Sequence, residues 1–465
     1  MSLRPLDLTG YGLPYWLDIE RPVYPSCIGE LKTDVAIVGA GISGLKVADY
    51  LSEHGLSCVV LEANQVGEGA SSRNQGCIVT GLSSPYGELV EQFSRETARS
   101  LLGLSRHNHE LLVEQIDRLG IDCDYQILGE TGLVLSGLSS DGALGALRRD
   151  AQLLTEDGVR AEYLDADAAR TATGSAIFRG GLRLPDDAQF HSGKFVVGLG
   201  VAVARSPNIL LFERSPVVAV DTHQGRHVVR TPHGSVEAEH LFIATNALVP
   251  QLLPALQHNL RAERGQVLVT EPMEARPCSG CYSAGVAWWR EIMESDGRYR
   301  LLFGGGRFRD EPDSLFKQYG ANGRRNPRLA TAGFRPTAVH QRRLQTHLAA
   351  IFPHLTDVEI THRWGGLQSF TFDGLPVIGV LDAARRIHGM AGFSGLGNSF
   401  TNVGASYLAA RIAGRTGEVE RRFGSTIQLL LAPSRESATW PGDEPTHAHS
   451  GSGGMVRVER RSSAS

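Results

Sequence analysis

An α/β fold is predicted by two observations. A strand, glycine turn, helix and second strand follow one another from Asp34 to Ala63, and the order of strand, glycine turn and helix returns at Ile387 to Ile412. A third observation, a strand-like group from Gly265 to Phe308 without such turns, adds an interleaved α+β part on a mixed sheet.

The opening unit is the most specific. The apolar run Val35 to Val38 enters the pattern Gly39, Gly41, Gly44; a helical pattern runs through His54 and stops at Gly55; a second apolar run ends at Glu62 and Ala63. Gly39 permits the tight turn, Gly41 lets backbone touch a pyrophosphate, and Gly44 lets helix and strand pack closely. Ile42 and Ser43 open the helix, whose N–H groups and positive dipole end suit phosphates. Glu62, at the tip of the second strand, suits the ribose hydroxyls of an adenosine. The glycine string alone could be a mere turn. With strand, helix, strand and acid all in place it predicts a Rossmann-type site for a dinucleotide.

Composition bounds the rest. The chain has 465 residues, 42% hydrophobic and 21% charged, and a formal net charge of −4. That length allows a large core and two or three domains. The charge gives no reason to expect nucleic acid or an anionic membrane as partner. No apolar run is long enough for a membrane helix, and the first residues lack the charged-then-apolar pattern of a secretory signal. Six cysteines in so long a chain do not look like a disulfide framework, so a cytoplasmic protein with reduced thiols is expected. Cys278 and Cys281 form a CxxC, a spacing used by redox disulfides and half zinc sites. No second ligand pair completes a metal site, and two incidental thiols are the plainer reading.

Residues 1–30, with Tyr11, Tyr15, Trp16, Tyr24 and four prolines, suggest an extended arm lying on the body. Tyr86 to Leu119 reads as helical, with His107 and His109 on different faces and so not a metal pair. Helices are expected around Gly142–Asp157, within 185–204 and over Pro336–Ile351, and strands at Gly132–Leu135 and through Asn208–Ala247. After Ala432 the composition falls to that of a disordered tail, 432–465.

Four further segments resemble the flavin amine-oxidase family that includes glycine oxidase, D-amino-acid oxidase and sarcosine oxidase. They are GEGASSRNQG (Gly67 to Gly76), IATNA (Ile243 to Ala247), Arg264-Gly265-Gln266, and RWGGLQSFTFDGLPVIG…HGMAGFSGLGNSF (Arg363 to Phe400). The order of these strings is more specific than any one of them. The arm YWLDIERPVYP with WWREI and LLFGGGRF looks most like the γ-glutamylputrescine oxidase branch. The resemblance implies FAD, with Ala70, Ser71, Ser72, Arg73, Asn74, Gln75 and Gly76 lying across its pyrophosphate and isoalloxazine. It adds Val217, Thr245, Asn246 and Gly265 to the cofactor set. It also implies a discontinuous FAD-binding domain (31–120, 185–264 and 356–415) interleaved with a substrate domain (121–184 and 265–355).

Flavin also has support from the residues themselves. FAD stays buried, so its far end needs a second cradle, and the turn Gly392, Gly395, Leu396, Gly397 opens a helix there. N–H groups and a positive dipole end would face the oxygen where negative charge gathers on reduction. A plain strand-to-helix corner is the alternative.

Flavin C–N oxidation needs few acids or bases, and no triad, Walker loop or HExxH is present. Trp288, Trp289, Arg290, Trp364 and Gln368 are the pocket candidates, with Arg290 as a two-pronged clamp for a substrate carboxylate. Structural ion pairs and core packing compete for the same arginine and tryptophans. Two departures from the family stand out. Gly365 and Gly366 occupy the region where sarcosine oxidases attach flavin through cysteine, which predicts non-covalent FAD. Ser399 stands where the same enzymes carry a lysine that assists reaction with oxygen. Cys77 reads as a small buried residue rather than a flavin attachment point. The expected function is FAD-dependent oxidation of a small amine or amino acid to an imine. A flavin disulfide oxidoreductase using Cys278 and Cys281, and a non-catalytic subunit stabilised by FAD, are the competing readings.

Overall fold

The structure, a computed structural model, describes residues 12–135, 141–257, 259–285, 287–305 and 334–430. The tail expected at 432–465, the first eleven residues of the arm and the end of the 265–308 group lie outside them.

Two eight-stranded sheets and a small three-stranded one organise the described residues. In the first, Gly29–Val38 pairs in parallel with both Cys58–Leu61 and Gly234–Ile243, which puts the glycine turn at the carboxyl ends of central strands. Cys58–Leu61 continues to Ile209–Phe212, and Ile387–Ala391 joins Gly234–Ile243 in parallel. A parallel centre is covered on both faces, so its strands read as unbroken apolar runs rather than alternating ones. Val35 and Ile37 pack under the helices Ile42–Glu53, Ser192–Ala204 and Thr401–Ile412, while Ala36 and Val38 pack on the opposite side.

The second sheet is mixed. Its order is Ile360–Phe370, Arg261–Thr270, Tyr299–Gly305, Ala287–Met293, Cys281–Ala284, Glu130–Leu135, Phe178–Leu184 and Glu162–Leu164. Only Cys281–Ala284 with Glu130–Leu135 is a parallel pair among these. Its two faces differ. Leu268, Trp289, Leu301 and Phe303 bury against the helix Ala338–Ile351. Val267, Val269, Leu302 and Trp364 point the other way and bury Trp16. The chain crosses between the sheets repeatedly, so each is built from distant segments.

Three details correct the sequence reading. The helical stretch expected over 86–119 is divided into two helices, Tyr86–Phe93 and Arg95–Leu119. Ser94 breaks them at φ 109°, and its Oγ caps the second by accepting from the Thr97 N–H. The arm is not merely laid on the surface either: Trp16 is fully buried and donates from Nε1 to the Asn74 carbonyl at 2.8 Å. Third, Cys77 and Cys281 form a disulfide, so the thiols are not all reduced and the CxxC is not a pair. His107 and His109 do face different partners, Glu110 and Tyr125. No group of three or more metal-ligating side chains occurs among the described residues.

Candidate functional site

At the carboxyl end of Gly29–Val38 the backbone turns at Gly39, whose φ is +105°, and its N–H donates to the Leu61 carbonyl at 2.8 Å. A Cβ on Gly44 would overlap the Gly39 carbonyl oxygen, so only glycine lets the helix Ile42–Glu53 sit this close to the strand. A Cβ on Gly41 would stand 2.8 Å from Ser71 Oγ. That same Oγ accepts the Ile42 N–H at 2.8 Å, so the loop after the second strand already claims one donor of the helix start. Glu62 accepts the Ala40 N–H at 2.8 Å and the Asn64 N–H at 3.0 Å. Burial pushes its carboxyl above the usual range, against those two hydrogen bonds, which lower it.

A continuous cavity extends from this cradle to the second sheet. One end is lined by Gly39, Gly41, Ile42, Ser43, Glu62, Ala63, Ala70, Ser71, Arg73 and Asn74. The middle is lined by Val217, Thr245, Asn246, Gly395, Gly397 and Thr401, and the far wall by Gly265, Trp288, Phe334, Gly366 and Gln368. Thr245 Oγ1, Asn246 Oδ1 and Ser369 Oγ all belong to lining residues and are buried without a hydrogen-bond partner. Orphaned polar atoms of this kind call for a polar occupant. An elongated ligand with a phosphate-rich end and a planar polar end fits them.

The sequence matches the family described as FAD dependent oxidoreductase over residues 34–411. The chain belongs to that family. It is 30% identical over 397 residues to γ-glutamylputrescine oxidoreductase of Escherichia coli, covering 83% of this chain and 84% of that protein. It is 25% identical over 382 residues to glycine oxidase of Geobacillus kaustophilus, covering 78% and 88%. The crystal structure of that glycine oxidase superposes with a TM-score of 0.66 at 21% identity, covering 83% of this chain and 96% of the other. L-proline dehydrogenase from P. horikoshii superposes at 0.65 with 17% identity, covering 86% and 99%. These two likenesses establish the fold: an FAD-binding Rossmann-type unit with mixed sheets.

Some expected site residues of this FAD-dependent oxidoreductase stand behind the cavity rather than on it. Gly44, Ser72, Gln75, Gly76, Gly392 and Leu396 are not among its lining residues. Ser72 is fully buried and donates to the Gly67 carbonyl, which fixes the loop's shape, and Gln75 donates to the Trp289 carbonyl. The closing helix begins only at Thr401, and the N–H groups of Asn402 and Val403 go to Asn108 Oδ1. The part of this second cradle that reaches the cavity is therefore Gly395, Gly397, Asn398 and Thr401.

Arg290, expected as a carboxylate clamp, is a strut instead. It is buried, its Nη1 donates to the carbonyls of Gly76 and Phe190 at 3.0 Å each, and its guanidinium lies over the Trp16 ring. Desolvation lowers its pKa to about 10. Trp289 is core, stacked among Phe178, Tyr282 and Phe303. Trp364 is also buried and donates from Nε1 to the Arg73 carbonyl at 3.2 Å. Strand alternation separates the tryptophan pair: Trp288 takes the cavity face and Trp289 the helix face. Arg73 lines the cavity, yet its guanidinium donates to the carbonyls of Glu68, Gly12 and Gly365 and lies over the Phe334 ring. Gln368 lines the far wall. Phe334, Asn398 and Thr401 were not singled out in the sequence; Thr401 stands just past the closing glycine string and was within reach of that reading.

Cys77 follows directly on the glycine loop, and its disulfide to Cys281 spans 204 positions with the Cα atoms 6.6 Å apart. It ties the loop to the second sheet. Cys278 is free and buried, with its thiol pushed up by burial, so no dithiol Cys278/Cys281 exists for a disulfide oxidoreductase. Ser399, at the position of the missing lysine, accepts the Val79 N–H and is buried.

Proposed function

We propose that this enzyme oxidises the C–N bond of a small amine or amino acid to an imine, which water then hydrolyses, with oxygen or another acceptor completing the cycle. The observation that carries this reading is the shared cavity. Its cradle end suits the ADP half of FAD and its far wall, Trp288, Gln368 and Phe334, comes from the other sheet. FAD, when bound, supplies a two-electron acceptor for the hydrogen on the carbon next to nitrogen. Gly39, Gly41, Ser43 and Glu62 would hold its adenosine diphosphate half, and Thr245, Asn246 and Ser369 would satisfy its polar groups. Trp288 would give the substrate a flat apolar wall and Gln368 one polar contact, enough to orient an amine and keep water out. In this reading 31–120, 185–264 and 356–415 hold the cofactor, and 121–184 with 265–355 close over the substrate.

The cofactor is held without a covalent bond in this reading. No cysteine, histidine or tyrosine lines the cavity among the described residues, and Cys77 is engaged with Cys281. The relative named γ-glutamylputrescine oxidoreductase makes amines with a long chain and a distal carboxylate the first compounds to try. The test is to incubate the purified yellow protein with a panel of amines and amino acids in air and identify the carbonyl product. A carbonyl product from one class supports the proposal. A fully loaded flavoprotein that makes none from any class would favour the non-catalytic subunit.

A further inference from the structure

Lys46 lies one turn beyond Ser43 on the helix Ile42–Glu53, and only 1% of it is exposed. Its Nζ donates to Thr401 Oγ1 at 2.9 Å and to Asn402 Oδ1, both neutral, and sits 5.3 Å from the centre of the Phe195 ring. No carboxylate forms an ion pair with it among the described residues. Thr401 lines the cavity, so the amine is one side chain below the cavity floor. On the other side a polar chain leads outward. Asn402 Nδ2 donates to Gln115 Oε1 at 3.1 Å, Gln115 Nε2 donates to Asp49 Oδ2 at 2.6 Å, and Asp49 pairs with the half-exposed Arg118.

The direction of that chain is fixed from its outer end. The Asp49 carboxylate can only accept, so Gln115 must turn its amide nitrogen outward and its oxygen inward; Asn402 must then do the same. Both amide dipoles point their oxygen ends at Lys46, which favours a positive charge there. Burial in apolar surroundings opposes that charge and lowers the lysine pKa well below its usual value. The remaining titratable neighbours are Asp49, Tyr50 and Glu53 along the same helix and Arg118 on the helix Arg95–Leu119. On the helix Ser192–Ala204 the Phe195 ring faces the amine, while Lys194 pairs with Asp124 and His191 at the N-cap accepts the Lys194 N–H. The buried amine has neutral partners and no paired carboxylate among the described residues, so a negative charge in the cavity would favour its protonated form.

We propose that Lys46 is a buried proton acceptor that takes up one proton from solvent when negative charge enters the cavity above Thr401. The inference rests on the FAD reading, which supplies that charge from either the diphosphate on binding or the ring on two-electron reduction. Nothing is oxidised or reduced at Lys46; the neutral amine gains a proton and becomes an ammonium. The proton taken up is therefore the readout, independent of turnover.

Calorimetric titration of FAD into apoprotein, in two buffers of different ionisation enthalpy, counts protons taken up on binding. Spectroelectrochemical titration of the holoenzyme over a range of pH counts those taken up on reduction. Wild type should take up about one proton more than Lys46→Met in one of the two steps. An excess on binding assigns the diphosphate as the source, and an excess on reduction assigns the ring. Lys46→Gln, which keeps a polar group, should lose the same proton. Equal proton counts in wild type and a folded, FAD-binding variant at both steps would overturn the proposal, as would no uptake by wild type itself. Failure of wild type to bind FAD would instead overturn the cofactor reading.

Discussion

Trp288 and Gly304 stand opposite each other on neighbouring antiparallel strands, and a Cβ on Gly304 would run into the indole ring. The glycine is what lets Trp288 lie back and leave the cavity open. Gly304→Ala should push the ring toward the far wall, costing about 1–3 kcal/mol of stability. FAD content should hold, while the amine concentration that half-bleaches the flavin rises roughly tenfold, the equivalent of about 1.4 kcal/mol. Anaerobic amine titrations of the two proteins measure it.

Gly41 and Gly44 predict different failures. A Cβ on Gly44 meets the backbone oxygen of Gly39, which cannot move without the strand, so Gly44→Ala should lower the melting temperature of apoprotein. A Cβ on Gly41 meets only the Ser71 side chain, which can turn. Gly41→Ala should fold normally and lose FAD affinity, because the intruding methyl group sits where the pyrophosphate approaches. Thermal melts with and without added FAD separate the two.

Four thiols, Cys27, Cys58, Cys123 and Cys278, should react with an alkylating agent in denaturant before reduction. Six should react after it, since Cys77 and Cys281 are then released. Cys77→Ser should cost about 2–4 kcal/mol, the usual worth of a bridge closing a long loop. Mass spectrometry of the alkylated protein decides, and six reactive thiols without reductant would remove the bridge.

Burial raises the pKa of Glu130 to about 7, with the hydrogen bond from Ser283 opposing the shift. The folded protein therefore keeps a proton that the unfolded chain has lost. Stability on this account falls as pH rises from about 4.5 to about 7 and then levels. The neighbouring Asp187 is also raised by burial and adds to the same trend. Glu130→Gln should remove on the order of 2 kcal/mol of that loss, so its melting temperature changes less between acidic and neutral buffer than that of wild type.

Local chemistry was legible where one residue type meets one backbone demand. The turn at Gly39, the close packing at Gly44 and the acid at Glu62 could be read from order and spacing alone. The far wall was harder, because WWREI names both faces of one strand at once. Only the register with Tyr299–Gly305 shows that Trp288 faces the cavity and Trp289 the core. Arg290 shares the Trp288 face but is consumed by the carbonyls of Gly76 and Phe190, which lie 214 and 100 positions away. Cys77 and Cys281 are likewise joined across the two sheets, and no local pattern reports such a pairing. Lys46 was not singled out in the sequence; its burial follows from how the closing helix crosses the first.

In the proposed reaction one cavity serves both ligands, FAD at its cradle and an amine at its far wall. Anaerobic mixing of the FAD-loaded protein with a panel of amines and amino acids is the decisive measurement. The yellow colour should bleach with at least one class, and Gln368→Ala should slow the bleaching without releasing FAD. A flavin that dithionite reduces but no amine or amino acid bleaches would rule out an amine site at the far wall.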